Sequence, residues 1–200
     1  MAAVYRQGLG ASNNAGIPAL ANPALNYLRV EVAGHPPGLL VLGYVDHQPE
    51  GDVQVWYSAN QEVLKTLNGR IVQTSGLPAD WLLVSFPVAP LLWQGLANDA
   101  VAFTRTRDAM PAYRYGIQET MTLSRSRPPA AVSASVAPRL AGELQWYRES
   151  VVASSEVLLP DAYYGVGIWR GEKTVIYSQQ CLATDFCLRL MRWPLNEVTP

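Results

Sequence analysis

The sequence is poor in cysteine, histidine, lysine and charge, and each shortage removes a class of function. Two cysteines, Cys181 and Cys187, and two histidines, His35 and His47, are all that 200 residues hold. A zinc site gathers several His or Cys ligands at characteristic spacings, which this set does not provide. Ser-His-Asp chemistry needs a positioned base with an orienting acid, and no Gly-x-Ser-x-Gly elbow is present. Both histidines stand in polar or Pro-rich stretches, where a solvated side chain is the plainer reading. Neither Gly-x-x-x-x-Gly-Lys nor Gly-x-Gly-x-x-Gly occurs, so no nucleotide is expected, nor any other cofactor.

Charged residues make up 16% of the chain, and the formal charge of -1 leaves no basic footprint for nucleic acid. Lysine is nearly absent, Lys65 and Lys173 standing against an otherwise arginine-only set of cations. Genome base composition produces such a bias without any functional cause. No run of roughly 18 apolar residues occurs, so no membrane-spanning helix is expected. Met1-Ala2-Ala3 opens the sequence without an export signal, and a signal removed from the chain leaves no trace in it.

What is present is apolar and β-like. Residues of hydrophobic type reach 49%, enough for a sizeable core in one domain. Residues 1–26 are rich in Gly, Ala, Asn and Pro without periodicity, and read as an extended arm or tether. From Tyr27 onward, residues 27–200 read as a single β domain. Tyr27–Val32 alternates, and Leu39–Val45 is nearly continuous apolar, as expected of a strand covered on both faces. Glu62–Leu67 and Arg70–Thr74 flank Asn68-Gly69, the dipeptide that best tolerates the positive φ angles of a type I′ hairpin turn. Residues 78–98 break the pattern. Asp80 there is a candidate helix cap, and Pro87 and Pro90 limit the segment to one or two short helices packed on the sheet.

Strands are expected again over Val101–Thr106 and over Tyr113–Leu123, where Glu119 alone interrupts the apolar face. It reads either as a partnered carboxylate or, more commonly in such patterns, as the mark of a bulge. Residues 124–140, with Pro128-Pro129 among many Ala and Ser, read as a loop or linker. Leu144–Val152, Tyr163–Trp169, Thr174–Gln180 and Cys187–Trp193 complete the set. The short spacing and the lack of a βαβ rhythm predict an all-β fold. It would be an antiparallel sandwich or partly open barrel of about nine or ten strands.

Cys181 and Cys187 are spaced for a disulfide across a short loop between neighbouring strands, which would imply an oxidising compartment. Two reduced cysteines, one buried as a small hydrophobe, are the alternative. The aromatic residues are the more informative set. Neighbours along a strand face opposite ways, so Trp146 and Tyr147 cannot enter one core layer together. Either a helix or loop covers the outward members, or they form a platform for sugar rings or a partner protein. Trp56, Tyr57, Tyr113, Tyr115, Trp146, Tyr163 and Tyr164 are the candidate contacts.

The order of these features resembles the YjbF/GfcB family of capsule and exopolysaccharide lipoproteins. The matching centre is Trp56-Tyr57-Ser58-Ala59-Asn60, then Val63-Leu64, then Leu67-Asn68-Gly69-Arg70-Ile71-Val72-Gln73-Thr74-Ser75-Gly76-Leu77. Tyr113-Arg114-Tyr115-Gly116, Trp146-Tyr147-Arg148-Glu149, Pro160-Asp161-Ala162-Tyr163-Tyr164 and the strand Val175–Gln180 extend it. The chain departs from the pattern at Asn60-Gln61, where an Asp-Gly-like turn is usual, and it lacks the lipidated cysteine that follows the family's signal peptide. The resemblance implies a β domain hung from the periplasmic side of the outer membrane by an N-terminal lipid, working with other envelope proteins of polysaccharide export. It designates no active site. A non-catalytic accessory that binds glycan or another export protein is therefore the first expectation. A polysaccharide lyase or hydrolase built on a pair of carboxylates, and a purely structural envelope protein, are the alternatives.

Overall fold

The computed structural model describes residues 22, 24–88, 93, 100–130, 132, 138–195 and 198–199. Most of the expected arm at 1–26 lies outside the described residues, as do Pro90, Leu91 and Leu92 and the greater part of 131–137.

The first strands are β1 (Tyr27–Val32), β2 (Gly38–Gln48), β3 (Gly51–Tyr57), β4 (Val63–Leu67), β5 (Arg70–Ser75) and β6 (Asp80–Ser85). The long strands β7 (Val101–Met110) and β8 (Arg114–Arg125) follow, then a helix, α1 (Pro138–Glu143). The chain continues with β9 (Gln145–Ser154), β10 (Ala162–Trp169), β11 (Glu172–Ala183), β12 (Phe186–Trp193) and the two-residue β13 (Val198–Thr199).

All of them belong to one antiparallel sheet, ordered β5-β4-β3-β2-β1-β12-β11-β10-β9-β8-β7-β6, with β13 added beside β10. Every ladder on that path joins consecutive strands except one, in which β1 pairs β12 with Tyr27 opposite Trp193. The two ends of the path, β5 and β6, are consecutive in the chain and lie side by side, so the sheet is a nearly closed barrel. At that seam the Trp81 amide donates to the Thr74 hydroxyl rather than to a backbone carbonyl (2.9 Å). Seven ladders carry a register shift, and such bulges bend strands, which lets so wide a sheet curl onto itself.

Twelve strands on one path exceed the nine or ten expected, and there is no pair of separate sheets as a sandwich requires. The main omission is β6. Its residues are apolar without alternation and neighbour prolines, which hides a strand. Asp80 caps no helix; its carboxylate accepts from the amides of Gly76 and Leu77 in the turn before β6. β2 is not covered on both faces either: only Leu40 in it is buried, and Tyr44 is exposed. Of the expected loop at 124–140, Ser124 and Arg125 belong to β8 and residues 138–140 to α1.

The hairpin at Asn68-Gly69 forms with φ of 50° and 80°. Gly69 is required twice over, because a Cβ there would stand 2.5 Å from Val175 of β11, against which the turn docks. The core has three parts. One cluster, including Leu28, Trp56, Leu64, Ile71, Trp81, Ile117 and Leu188, joins both halves of the sheet. A second, with Trp93, Leu123, Tyr147, Tyr164 and Val166, gathers around the one described residue of the 89–99 stretch. The third, with Leu144, Trp146, Trp169, Ile176 and Tyr177, packs beneath Ala141 of α1 and Leu195.

Candidate functional site

Charged side chains at inward positions of the strands form two buried centres. In the first, Arg70 at the start of β5 donates from Nε to Glu149 Oε1 of β9 at 2.6 Å, with side-chain exposures of 3% and 1%. Its guanidinium carbon lies 4.1 Å from the centre of the Trp93 ring. The hydroxyl of Tyr164 donates to Glu149 Oε2 (3.0 Å). Gln180 completes the centre: its Oε1 accepts from the Ile71 amide and its Nε2 donates to Gly69 O. Trp93 closes the centre, donating from Nε1 to Asn68 O and accepting at its carbonyl from the Tyr147 hydroxyl. Burial, reinforced by the negative Glu149, drives the Tyr164 hydroxyl well above its ordinary pKa, so it remains a donor.

In the second centre, Glu119 of β8 accepts from two arginines of β7, Arg105 Nε at 2.6 Å and Arg107 Nε at 3.0 Å. Both guanidiniums lie over Trp81, at 4.9 and 5.4 Å from the ring centre, and Trp81 donates across the barrel to Leu182 O. Desolvation lowers the pKa of Arg107, with Glu119 opposing that effect. Glu119 is therefore the partnered carboxylate, and the nearby bulge belongs to the facing strand, where Val152 of β9 is left over between the partners of Thr120 and Met121. A third arginine, Arg192 of β12, donates to Gln54 Oε1 and stacks 4.9 Å from the centre of Trp56. Burial depresses it to about 10 against a raising influence of Glu172.

The seven aromatic candidates separate by environment. Trp56, Trp146 and Tyr164 are buried, which corrects their expectation as surface contacts. Trp56 faces inward and donates to Thr66 Oγ1. Trp146 points outward but is roofed by α1, donating to Ala141 O, while its neighbour Tyr147 points inward. Tyr163 is half-buried. Tyr57 is exposed, its ring lying over Gly43, where a Cβ would stand only 2.5 Å away. Tyr113 and Tyr115 are 70% and 61% exposed at the start of β8. The Arg114–Glu156 ion pair and the Ser155–Gln118 backbone bond bring the exposed Val157 and Leu158 to that same end of the strand.

Cys181 and Cys187, cross-strand partners in β11 and β12, are joined by a disulfide. His47 bonds Asp52 at the surface, and among the described residues no cluster of potential metal ligands occurs. The sequence pattern did not single out Arg70, Glu149, Arg105, Arg107 or Trp93. The available signal was a charge at an inward position, as at Arg105 and Arg107, which share a parity with Ala109 in β7.

The family model described as "Group 4 capsule polysaccharide lipoprotein gfcB, YjbF" matches residues 18–188. The chain belongs to the YjbF family. Among solved structures, the hypothetical lipoprotein YmcC from Escherichia coli K12 resembles this YjbF member with a TM-score of 0.59. The likeness covers 86% of this chain and 84% of that one at 18% identity, and it bears on the fold alone. No curated protein sequence matches.

Proposed function

We propose that this YjbF-family chain is a non-catalytic accessory lipoprotein of capsule or exopolysaccharide secretion. An N-terminal lipid holds it on the periplasmic side of the outer membrane, and it binds the glycan or another export protein. Membership of a capsule polysaccharide lipoprotein family over residues 18–188 is the observation that carries the reading. The fates of the buried carboxylates support its non-catalytic part. Glu119 and Glu149 are tied to arginines inside the barrel, where a polysaccharide does not reach them. The Cys181–Cys187 disulfide fits an oxidising compartment. Contacts to a partner fall to the exposed Tyr113 and Tyr115, with Tyr57 and Tyr163 secondary.

The test is a pull-down from cell envelopes with the purified protein, read by mass spectrometry and by glycan analysis of the eluate. Recovery of a capsule-export envelope protein or of its polysaccharide is expected. An empty eluate, with the glycan cleaved or modified after incubation, would replace this reading with that of an enzyme.

A further inference from the structure

Arg70, Arg105, Arg107 and Arg192 point into the barrel, and the first three reach a carboxylate there. Arg192, near the end of β12, shares its parity with the core residues Leu188 and Leu190 and stands opposite Leu28 of β1, so it points inward as they do. Its guanidinium donates to the neutral Gln54 Oε1 at 2.7 Å and lies over the Trp56 ring. Among the described residues it enters no ion pair. Glu172 acts on it only through space, from an exposed position at the start of β11. Burial brings its pKa down no further than about 10, so the group is charged at neutral pH. The residue is 8% exposed, and a charge so buried is costly without a counter-charge.

Beside this guanidinium is a cavity of about 20 Å³, where roughly 10–15 Å³ of such space admits one water-sized particle. Its polar side chains are Arg192, Gln54, Thr66 and Ser178. Gln54 and Thr66 face each other across β3 and β4, on the side that carries Trp56 and Leu64. Ser178 faces Leu190 across β11 and β12. The Thr66 hydroxyl accepts from Trp56 Nε1, and the Ser178 hydroxyl accepts from Gln180 Nε2. Each keeps its own hydrogen to donate, and among the described residues neither has an acceptor for it. Two O–H donors and a guanidinium thus share a space that no carboxylate lines. Leu28, Val175 and Leu190 supply apolar walls.

We infer that this cavity is a binding site for a single halide ion such as chloride, with Arg192 as its counter-charge and the Thr66 and Ser178 hydroxyls as further donors. A halide is spherical and barely larger than water, whereas a phosphate or a sugar carboxylate exceeds the space. A water molecule fits the same volume but leaves the charge of Arg192 uncompensated. The bound ion would tie β3 and β4 to β11 and β12. The inference is independent of the accessory role proposed above.

The test is urea denaturation of the full chain at constant ionic strength, with chloride exchanged for gluconate, an anion too large for the cavity. For a dissociation constant of about 10 mM, replacing about 100 mM gluconate by chloride should lower the unfolding equilibrium constant about tenfold. Bromide should act as chloride does. Arg192→Met should erase the difference between the salts. Ser178→Ala should shrink it, with Gln180 Nε2 still held by Gly69 O. Tyr115→Ser, at an exposed position of β8, should leave it whole. Wild-type stability indifferent to the anion would overturn the inference, as would a chloride effect that survives Arg192→Met. If Arg192→Met does not fold, anomalous diffraction from wild-type crystals grown in bromide decides. A bromide bonded to Arg192 supports the site, and water alone at that position overturns it.

Discussion

The two arginine–carboxylate centres are built from the same residue types and differ in how they are closed. Around Arg70 the stoichiometry is one guanidinium to one carboxylate, and Trp93, Tyr164 and Gln180 complete the enclosure. Around Glu119 there are two guanidiniums, a single tryptophan beneath them, and a polar depression alongside. Breaking a buried pair by removing one partner leaves an uncompensated charge. The sealed, balanced centre thus holds the hairpin tip of β4–β5 onto β9, β10 and β11, and any change there threatens the fold. The unbalanced one keeps a surplus guanidinium inside the barrel. Placement in the same barrel does not make two ion pairs equivalent.

The contrast is sharpest for Arg70→Met, which strands Glu149 in the interior. A loss of about 3–5 kcal/mol is expected in urea denaturation. Trp93→Leu comes next, at about 2–3 kcal/mol, from lost aromatic volume and the lost stack on Arg70. It should also quicken hydrogen exchange at the Ile71 amide, which the first centre shelters. Arg105→Met leaves Glu119 still bonded to Arg107, so about 1–2 kcal/mol is expected. A cost equal to that of Arg70→Met would show that the two centres are energetically alike and would end the comparison. The smallest effect at neutral pH belongs to Tyr177→Phe, expected within about 0.5 kcal/mol because the buried hydroxyl has no hydrogen-bond partner.

That last variant has an alkaline signature. Burial raises the Tyr177 hydroxyl from 10.0 to about 12. The folded state then holds its proton more tightly than the unfolded chain. The resulting stabilisation is complete below pH 10.0 and is lost as pH climbs toward about 12. Tyr177→Phe should therefore flatten the decline of stability across that interval. An unchanged decline would assign it to other groups.

Much of the fold was legible because it depends on local pattern. The alternation in Tyr27–Val32 and the Asn68-Gly69 turn each state their structure within a few residues, and both appear as read. Likewise, adjacency alone required Trp146 and Tyr147 to part company across the sheet. Which of them faced inward, and what covered the other, depends on α1, a short element with little signal of its own. The strand β6 was hidden because its apolar residues do not alternate; Leu82 and Leu83 are exposed while Trp81 and Val84 are buried around a bulge. The ionic centres were the least legible. Arg70 meets Glu149 across 79 positions of sequence, and nothing local announces such a partner. The arginine bias, explicable as base composition, has a physical correlate as well. Five of the six tryptophans have a guanidinium over the ring, a contact that suits a planar, weakly hydrated cation better than lysine.

The pairing of β1 with β12 has a consequence in time. All other ladders of the main path can zip between neighbours as the chain emerges, each closing a short loop. The ladder that places Tyr27 against Trp193 must wait for nearly the last strand to be made, with β1 presenting an unpaired edge until then. A polypeptide with this topology completes its barrel only once β12 has been made, by one slow long-range encounter. Until that encounter β1 has only β2 beside it, so the barrel stays open along one seam while every neighbouring ladder is already in place.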